Sequence, residues 1–433
     1  MKTWNKSEIA ITDNQTGRTL KIIQNDKVET VLDVPLLPLV HVSGEPVFIN
    51  SAGVYVPWRA KVADRSLYPV PGALVRESLV LYRIENNKRK ELIAEADYRI
   101  DAVDRIVFNS EPAENIFSDY SVLPQRVDVL AVNSASGAYR LFSGQAGMTL
   151  PVWPVISSPW EGIARIYSRF NNSRLSEKFI YPLGSREAGS VVNTYTPVKA
   201  GNRMPGELLV CRSKPTYADI LPYDDYHKPL PQTPEKIRNL LHRKQNAGER
   251  VTVVFFGDSL TAGGDVSPEE LLFTRRLEHF LKTSRPELDF SFYNAAIGGT
   301  DSSAGRARFE KDVMSRKPDI ITVMFVLNDN NKPDEIILEN HRYFIKRCRE
   351  SGAELLFITP NLNTGVWMDG LDHAVSRIRR LCSEEEIPLA DAYRLWKDLE
   401  NFGVPYETLL ANGINHPDAV AQKIFFELVR RYF

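Results

Sequence analysis

The mostly apolar run Val251-Thr252-Val253-Val254-Phe255-Phe256 leads directly into Gly257-Asp258-Ser259-Leu260, and a polar, glycine-containing loop from Thr261 to Asp265 follows. A run of this kind reads as a strand buried on both faces, as in parallel sheets covered by helices. Its Gly-Asp-Ser ending delivers a hydroxyl to the carboxyl edge of the sheet, where open α/β folds place their chemistry. That junction constrains the surrounding fold and nominates Ser259 at once.

Further strands are expected over 290–294, 320–326, 355–359 and 387–391, with helical patterns between them. Leu271, Leu272, Leu277, Phe280 and Leu281 mark one helix; Leu371, Ala374, Val375, Ile378, Leu381 and Cys382 mark another; Ile424, Phe425, Leu428 and Val429 mark the last. Strands that alternate with helices in this way predict a central parallel five-stranded sheet with helices on both faces.

The first half has a different grammar. Residues 1–215 read as short strands rich in Val, Ile, Tyr and Phe, at 79–84, 103–108, 127–132, 162–170 and 207–212. Glu85-Asn86-Asn87-Lys88 is a hairpin signal, and no long amphipathic helix interrupts the pattern. A β-rich, sandwich-like N-terminal domain is the expectation. Prolines 215, 222, 229, 231 and 234 mark a semi-extended linker over 216–235. Thr233-Pro234-Glu235 then looks like a helix start, opening a domain over 236–433. A chain of 433 residues is long for one core, which agrees with two domains.

Charge excludes some partners. Lys plus Arg (54) nearly cancels Asp plus Glu (55), so nothing points to nucleic acid or a membrane surface. The first residues lack a secretory apolar stretch, and three scattered cysteines (Cys211, Cys348, Cys382) read as reduced, buried thiols. The expectation is a cytoplasmic protein. No His/Cys/Asp spacing fits a metal site and no phosphate-binding glycine loop occurs, so no cofactor is expected.

A serine hydroxyl needs a base within hydrogen-bond reach and donors for the developing oxyanion. His416, in Asn412-Gly413-Ile414-Asn415-His416-Pro417 just before the last helix, is the candidate base. Two other strand ends offer donors: the glycines of Asn294-Ala295-Ala296-Ile297-Gly298-Gly299-Thr300, and the Asn328 amide of Val326-Leu327-Asn328-Asp329. Taken singly, a turn glycine and a strand-ending Asx turn explain these residues equally well. Three successive strand ends bearing Ser, Gly and Asn, followed by a late His, are a pattern.

That pattern resembles the SGNH (GDSL-type) hydrolases, over about residues 236–433. The resemblance implies a flavodoxin-like, three-layer α/β/α esterase domain. It makes Ser259 the nucleophile and His416 the base. Gly299, Asn328 and the Ser259 N–H would form the oxyanion hole. Two positions depart from the family's wording: Val326 stands where glycine is usual in the third block, and Gly413 where aspartate usually precedes the histidine. The acid orients the imidazole and stabilises its charged form. Asp391, Asp418 or a backbone carbonyl could take its place, the last giving a Ser–His dyad. Asp258 reads as a structural residue that holds the serine turn.

A β domain ahead of a GDSL domain resembles carbohydrate esterases that remove acetyl groups. The expected substrate is therefore a small-molecule or oligosaccharide ester. Two other readings stand beside it: an esterase, lipase or thioesterase for longer acyl chains, and a glycan-binding protein whose hydrolase domain has decayed. Asn361 and Trp367, after the fourth strand, are candidate substrate-binding residues lining the cleft. His373 and Asp372 read as surface residues, and Trp153 and Trp160 as core of the β domain. The β half is open to sugar binding, to roofing the site, or to self-association as a homo-oligomer.

Overall fold

A computed structural model describes residues 9–11, 18–24, 27–37, 39–47, 54–55, 59–61, 67–69, 74–100, 106–110, 116–146, 153–169, 175, 179–183, 235–264, 266, 269–329, 332–363, 370–399, 404–411 and 415–433. The chain divides into two compact units. One comprises Met1–Leu221 with Leu399–Ile414, the other Pro222–Asp398 with Asn415–Phe433.

In the first unit the described residues form antiparallel sheets. Arg126–Asn133 pairs with Tyr139–Phe142 and with Trp160–Ser168, which in turn pairs with Ile180–Pro182. Ile116–Val122 lies between Val40–Pro46 and Leu74–Glu85. The expected hairpin is present: Asn86 and Asn87 have φ of 49° and 60°, and join Leu74–Glu85 to Lys88–Glu91. Two left-handed residues in sequence match the twist of the strands they connect. Leu81, Ile106 and Tyr120 belong to one apolar core and Leu130, Ile163 and Ile166 to another. Trp153 is buried with the Arg165 guanidinium 4.6 Å from its ring, and Trp160 packs edge-on against Phe142. The strand expected at 207–212, Cys211 and most of the proline-rich linker lie outside the described residues.

The second unit is the parallel α/β domain that its strand pattern predicts. Its strands are β1 (Val251–Gly257), β2 (Phe290–Asn294), β3 (Ile320–Met324), β4 (Glu354–Ile358) and β5 (Leu389–Ala390). They lie in the order β2-β1-β3-β4-β5, all parallel. This is the flavodoxin-like order, whose direction of winding reverses between β1 and β3. The helices are α1 (Glu235–Ala247), α2 (Ser259–Ala262), α3 (Phe273–Ser284), α4 (Ser302–Asp312), α5 (Asp334–Ser351), α6 (Leu371–Glu384), α7 (Ala392–Asp398) and α8 (Ala419–Val429). α3 packs on α8, while α4, α5 and α6 pack in series. Right-handed crossovers from this strand order set those two groups on opposite faces.

Every residue of β3 is buried, and all but Thr252 in β1, so both strands are the sandwiched kind that their apolar runs foretell. Cys348 and Cys382 are buried free thiols, and burial pushes the Cys348 pKa up to about 12. No described helix is long and apolar enough to cross a membrane.

Candidate active site

The site begins where β1 stops. A Cβ at Gly257 would stand 2.5 Å from both the Met324 carbonyl and Thr261 Oγ1, so only glycine fits between β3 and the turn. Asp258 is the N-cap of α2, and its Oδ1 accepts the Leu260 N–H at 2.9 Å. Ser259 follows as the first helical residue, where its own N–H has no acceptor within the helix.

His416 comes from 157 residues further along, and its Nε2 lies 2.8 Å from Ser259 Oγ. Both side chains are nearly closed to solvent, at 8% exposure each. Gly264 lines the imidazole, for a Cβ there would be 3.1 Å from Cε1 and 3.3 Å from Nδ1. Past His416 the chain enters α8, capped by Asp418, whose Oδ1 accepts the Ala421 N–H at 2.8 Å.

The other two strand ends converge on the same edge. Gly299, after β2, has φ of 72°, is exposed, and has open space where a side chain would project. Asn328, after β3, donates from Nδ2 to the Thr300 carbonyl at 3.0 Å, and the same nitrogen stands 3.5 Å from Asp258 Oδ2. Asp329 is fully buried and fixes that corner. It accepts the Ser302 N–H, the Ser302 hydroxyl and the Val326 N–H. Val326, in the place where the family writes glycine, keeps the left-handed backbone a glycine would adopt, with φ of 83°. A β-branched residue there is strained.

Electrostatics single out Asp258. Burial raises its pKa from 3.8 to about 7, although the Leu260 N–H and the His416 charge both pull it down. The two carboxylates considered for orienting the base have the following partners. Asp391 receives Arg379 through both oxygens at 2.8 and 3.0 Å, together with the Thr359 hydroxyl. Asp418 caps α8. Gly413 lies outside the described residues.

Asn361 is placed differently from expectation. It does not line an open cleft: it is fully buried, and its Nδ2 donates to the Asn415 carbonyl at 2.8 Å and to the Leu362 carbonyl at 2.7 Å. The Asn415 carbonyl, next to His416 in the chain, is what meets it there. Trp367 falls outside the described residues. His373 is exposed and pairs with Asp334, and Asp372 pairs with Lys397. Sequence reasoning did not reach Gly264 or Arg308, the latter donating to the Gly257 and Ala295 carbonyls. Among the described residues no group of three or more His, Cys, Asp or Glu side chains could hold a metal ion.

Residues 255–424 match the GDSL-like lipase/acylhydrolase family. Most of that match falls within the α/β unit. Parts of it are similar to curated proteins: an uncharacterized lipoprotein, YqeF, of Bacillus subtilis (34% identical over 116 residues, 25% of this chain and 47% of that one) and an acetylxylan esterase of Geobacillus stearothermophilus (33% over 94 residues, 20% and 42%). The chain thus spans less than half the length of each of these relatives. Among solved structures, a two-domain esterase active on acetylated mannans aligns at 21% identity with a TM-score of 0.41, over 47% of this chain and 53% of that one. Ser259, Gly299, Asn328 and His416 sit at three strand ends and one helix entry of the α/β unit.

Proposed function

We propose that this chain is a cofactor-independent serine esterase that hydrolyses acyl esters of carbohydrates, acetyl esters foremost. The observation that carries the reading is the 2.8 Å contact between Ser259 Oγ and His416 Nε2, closed between residues 157 positions apart. A nucleophile and a base at that separation are in range for proton transfer.

The reaction follows from the geometry. Ser259 Oγ attacks the ester carbonyl carbon while His416 Nε2 takes its proton. The carbonyl oxygen becomes an oxyanion and receives the N–H groups of Ser259 and Gly299 and an N–H of Asn328. Asn328 Nδ2 stands 3.5 Å from Asp258 Oδ2, the outer limit of a hydrogen bond, so this weakly held N–H is the one that can turn to the oxyanion. His416 then protonates the leaving alcohol, and an acyl-serine remains. Water, deprotonated by the same imidazole, releases the acid and restores Ser259.

The acetyl and carbohydrate parts of the reading are supported by the similarity to the Geobacillus stearothermophilus acetylxylan esterase. The deciding experiment measures acetate release from a panel of acetylated oligosaccharides by wild type and Ser259→Ala, beside p-nitrophenyl esters of rising chain length. Release that vanishes in Ser259→Ala, with acetyl preferred, upholds the reading. A preference for octanoyl or longer removes the acetyl assignment, and no release on any ester removes the esterase.

A further inference from the structure

The β1–β2 ladder ends at the pair Phe255↔Asn294. Beyond it the Ala295 N–H donates to the Phe255 carbonyl at 2.8 Å, the Ile297 N–H to the Gly257 carbonyl at 3.1 Å, and Asn294 Nδ2 to the Thr261 carbonyl at 3.0 Å. From here the chains diverge, one towards Ser259 and the other towards Gly299. Arg308, on α4, bridges them at the point of divergence. Its Nη1 donates to the Ala295 carbonyl and its Nη2 to the Gly257 carbonyl at 3.2 Å. The guanidinium lies 4.4 Å from the Phe256 ring centre, and Asp312 pairs with it at 3.3 Å.

This is a costly placement for a cation. The Arg308 side chain is only 13% exposed, and its Nε is buried with no acceptor among the described residues. An arginine kept for stability alone could give way to an apolar side chain packed on Phe256, since buried charges seldom stabilise relative to such a replacement. What an apolar side chain cannot supply is a rigid, planar fork that reaches two carbonyls at once. One of those carbonyls lies two residues before Ser259 and the other four residues before Gly299.

We propose that Arg308 is a positioning residue that fixes the distance between the Ser259 turn and the Gly299 loop. The assignment rests on reading Ser259 as the nucleophile and Gly299 as an oxyanion donor. Arg308 touches neither substrate nor reacting atoms. It acts by holding the two strand ends in register, so that attack at carbon and capture of oxygen occur on one carbonyl group.

Two variants test it, Arg308→Lys and Arg308→Ala. Lysine keeps the charge and the stem over Phe256 but carries a single ammonium group, so it stands in if the alanine variant fails to fold. The first readout is amide hydrogen exchange, which needs no activity. Exchange at Ala295 and Ile297 is expected to rise about tenfold or more in both variants, while β3 and β4 amides keep their protection. The second is catalysis: kcat on an acetyl ester and the rate of Ser259 labelling by a fluorophosphonate should fall together by about tenfold or more, with KM within about twofold. Methylguanidine at millimolar concentration should restore part of the loss in Arg308→Ala and none in Arg308→Lys. Unchanged exchange at Ala295 and Ile297, or wild-type kcat despite loosened amides, overturns the proposal. If the wild-type protein resists the fluorophosphonate, the esterase reading fails separately, and exchange alone still decides whether Arg308 holds the strand ends.

Discussion

Replacing Gly264 with alanine isolates the geometry of the proposed base. The added methyl would stand 3.1 Å from His416 Cε1 and 3.3 Å from Nδ1, with Ser259 Cβ farther away at 3.8 Å. Ordinary contacts begin near 3.4 Å, so the ring must retreat by a few tenths of an ångström. Cε1 is bonded to Nε2, so most of that shift reaches the atom facing Ser259 Oγ. A 2.8 Å contact then moves towards the limit of a hydrogen bond. Misplacement of up to about 1 Å costs up to about a hundredfold in rate, so a kcat loss of roughly tenfold to a hundredfold is expected. That corresponds to about 1.4–2.7 kcal/mol of transition-state stabilisation. The backbone raises no objection, because Gly264 is not among the glycines with positive φ. Alanine there should reduce the freedom of the unfolded chain, a gain of about 0.4–1 kcal/mol that offsets the crowding. Activity and stability should therefore part company. The assay pairs kcat on p-nitrophenyl acetate with the urea midpoint, and a folded variant with kcat within twofold of wild type would refute the argument.

Asn328→Ala should lower kcat by about a hundredfold or more with little change in the urea midpoint, since it removes one proposed oxyanion donor; an equal loss of stability and activity would instead mark a packing role. Val326→Gly should destabilise less than Val323→Gly, by about 1–3 kcal/mol in urea titrations. Both substitutions delete a buried valine side chain, and only the first relieves a left-handed backbone. Asp258 predicts a pH dependence. Its folded pKa, about 7, lies above the 3.8 of an ordinary aspartate, so the folded state holds a proton that the unfolded state releases. Its contribution to stability is fully present below about pH 4 and is lost as pH rises through 7, a swing on the order of 4 kcal/mol. Urea titrations of wild type and Asp258→Asn from pH 4 to 8 should diverge in the variant's favour as pH rises, whereas parallel profiles would mean that Asp258 does not hold that proton.

The α/β domain is largely legible in the sequence because its information is local. Unbroken apolar runs mark strands sandwiched between helices, and right-handed crossovers leave few orders for them to take. Ser259 and Asn328 are legible because a strand end says where a side chain emerges. Arg308 is not, because on α4 it reads as one more basic residue in a helix of low amphipathicity, and its partners lie 13 and 51 positions away. Asn361 looks like a cleft residue for the same reason. The backbone that buries it arrives 54 positions later. In the β unit the hairpin at Asn86-Asn87 is local and legible. Pairings such as Val54–Tyr55 with Ile106–Phe108 leave no local trace, and neither does the grouping of Leu399–Ile414 with that unit.

The glycine at 413 can be weighed in the same physical terms. An aspartate partner does two jobs for a catalytic histidine, orienting the ring and balancing its charge. Orientation has other sources here. The Gly264 backbone bounds one edge of the imidazole, Asn361 holds the carbonyl of the preceding residue, and Asp418 anchors the start of α8 two residues beyond. Asp258 lies close enough to feel the ring as well: burial raises its pKa, and the His416 charge is among the influences that pull it down. The departure at 413 then removes one support from the proposed base and leaves these contacts to orient it.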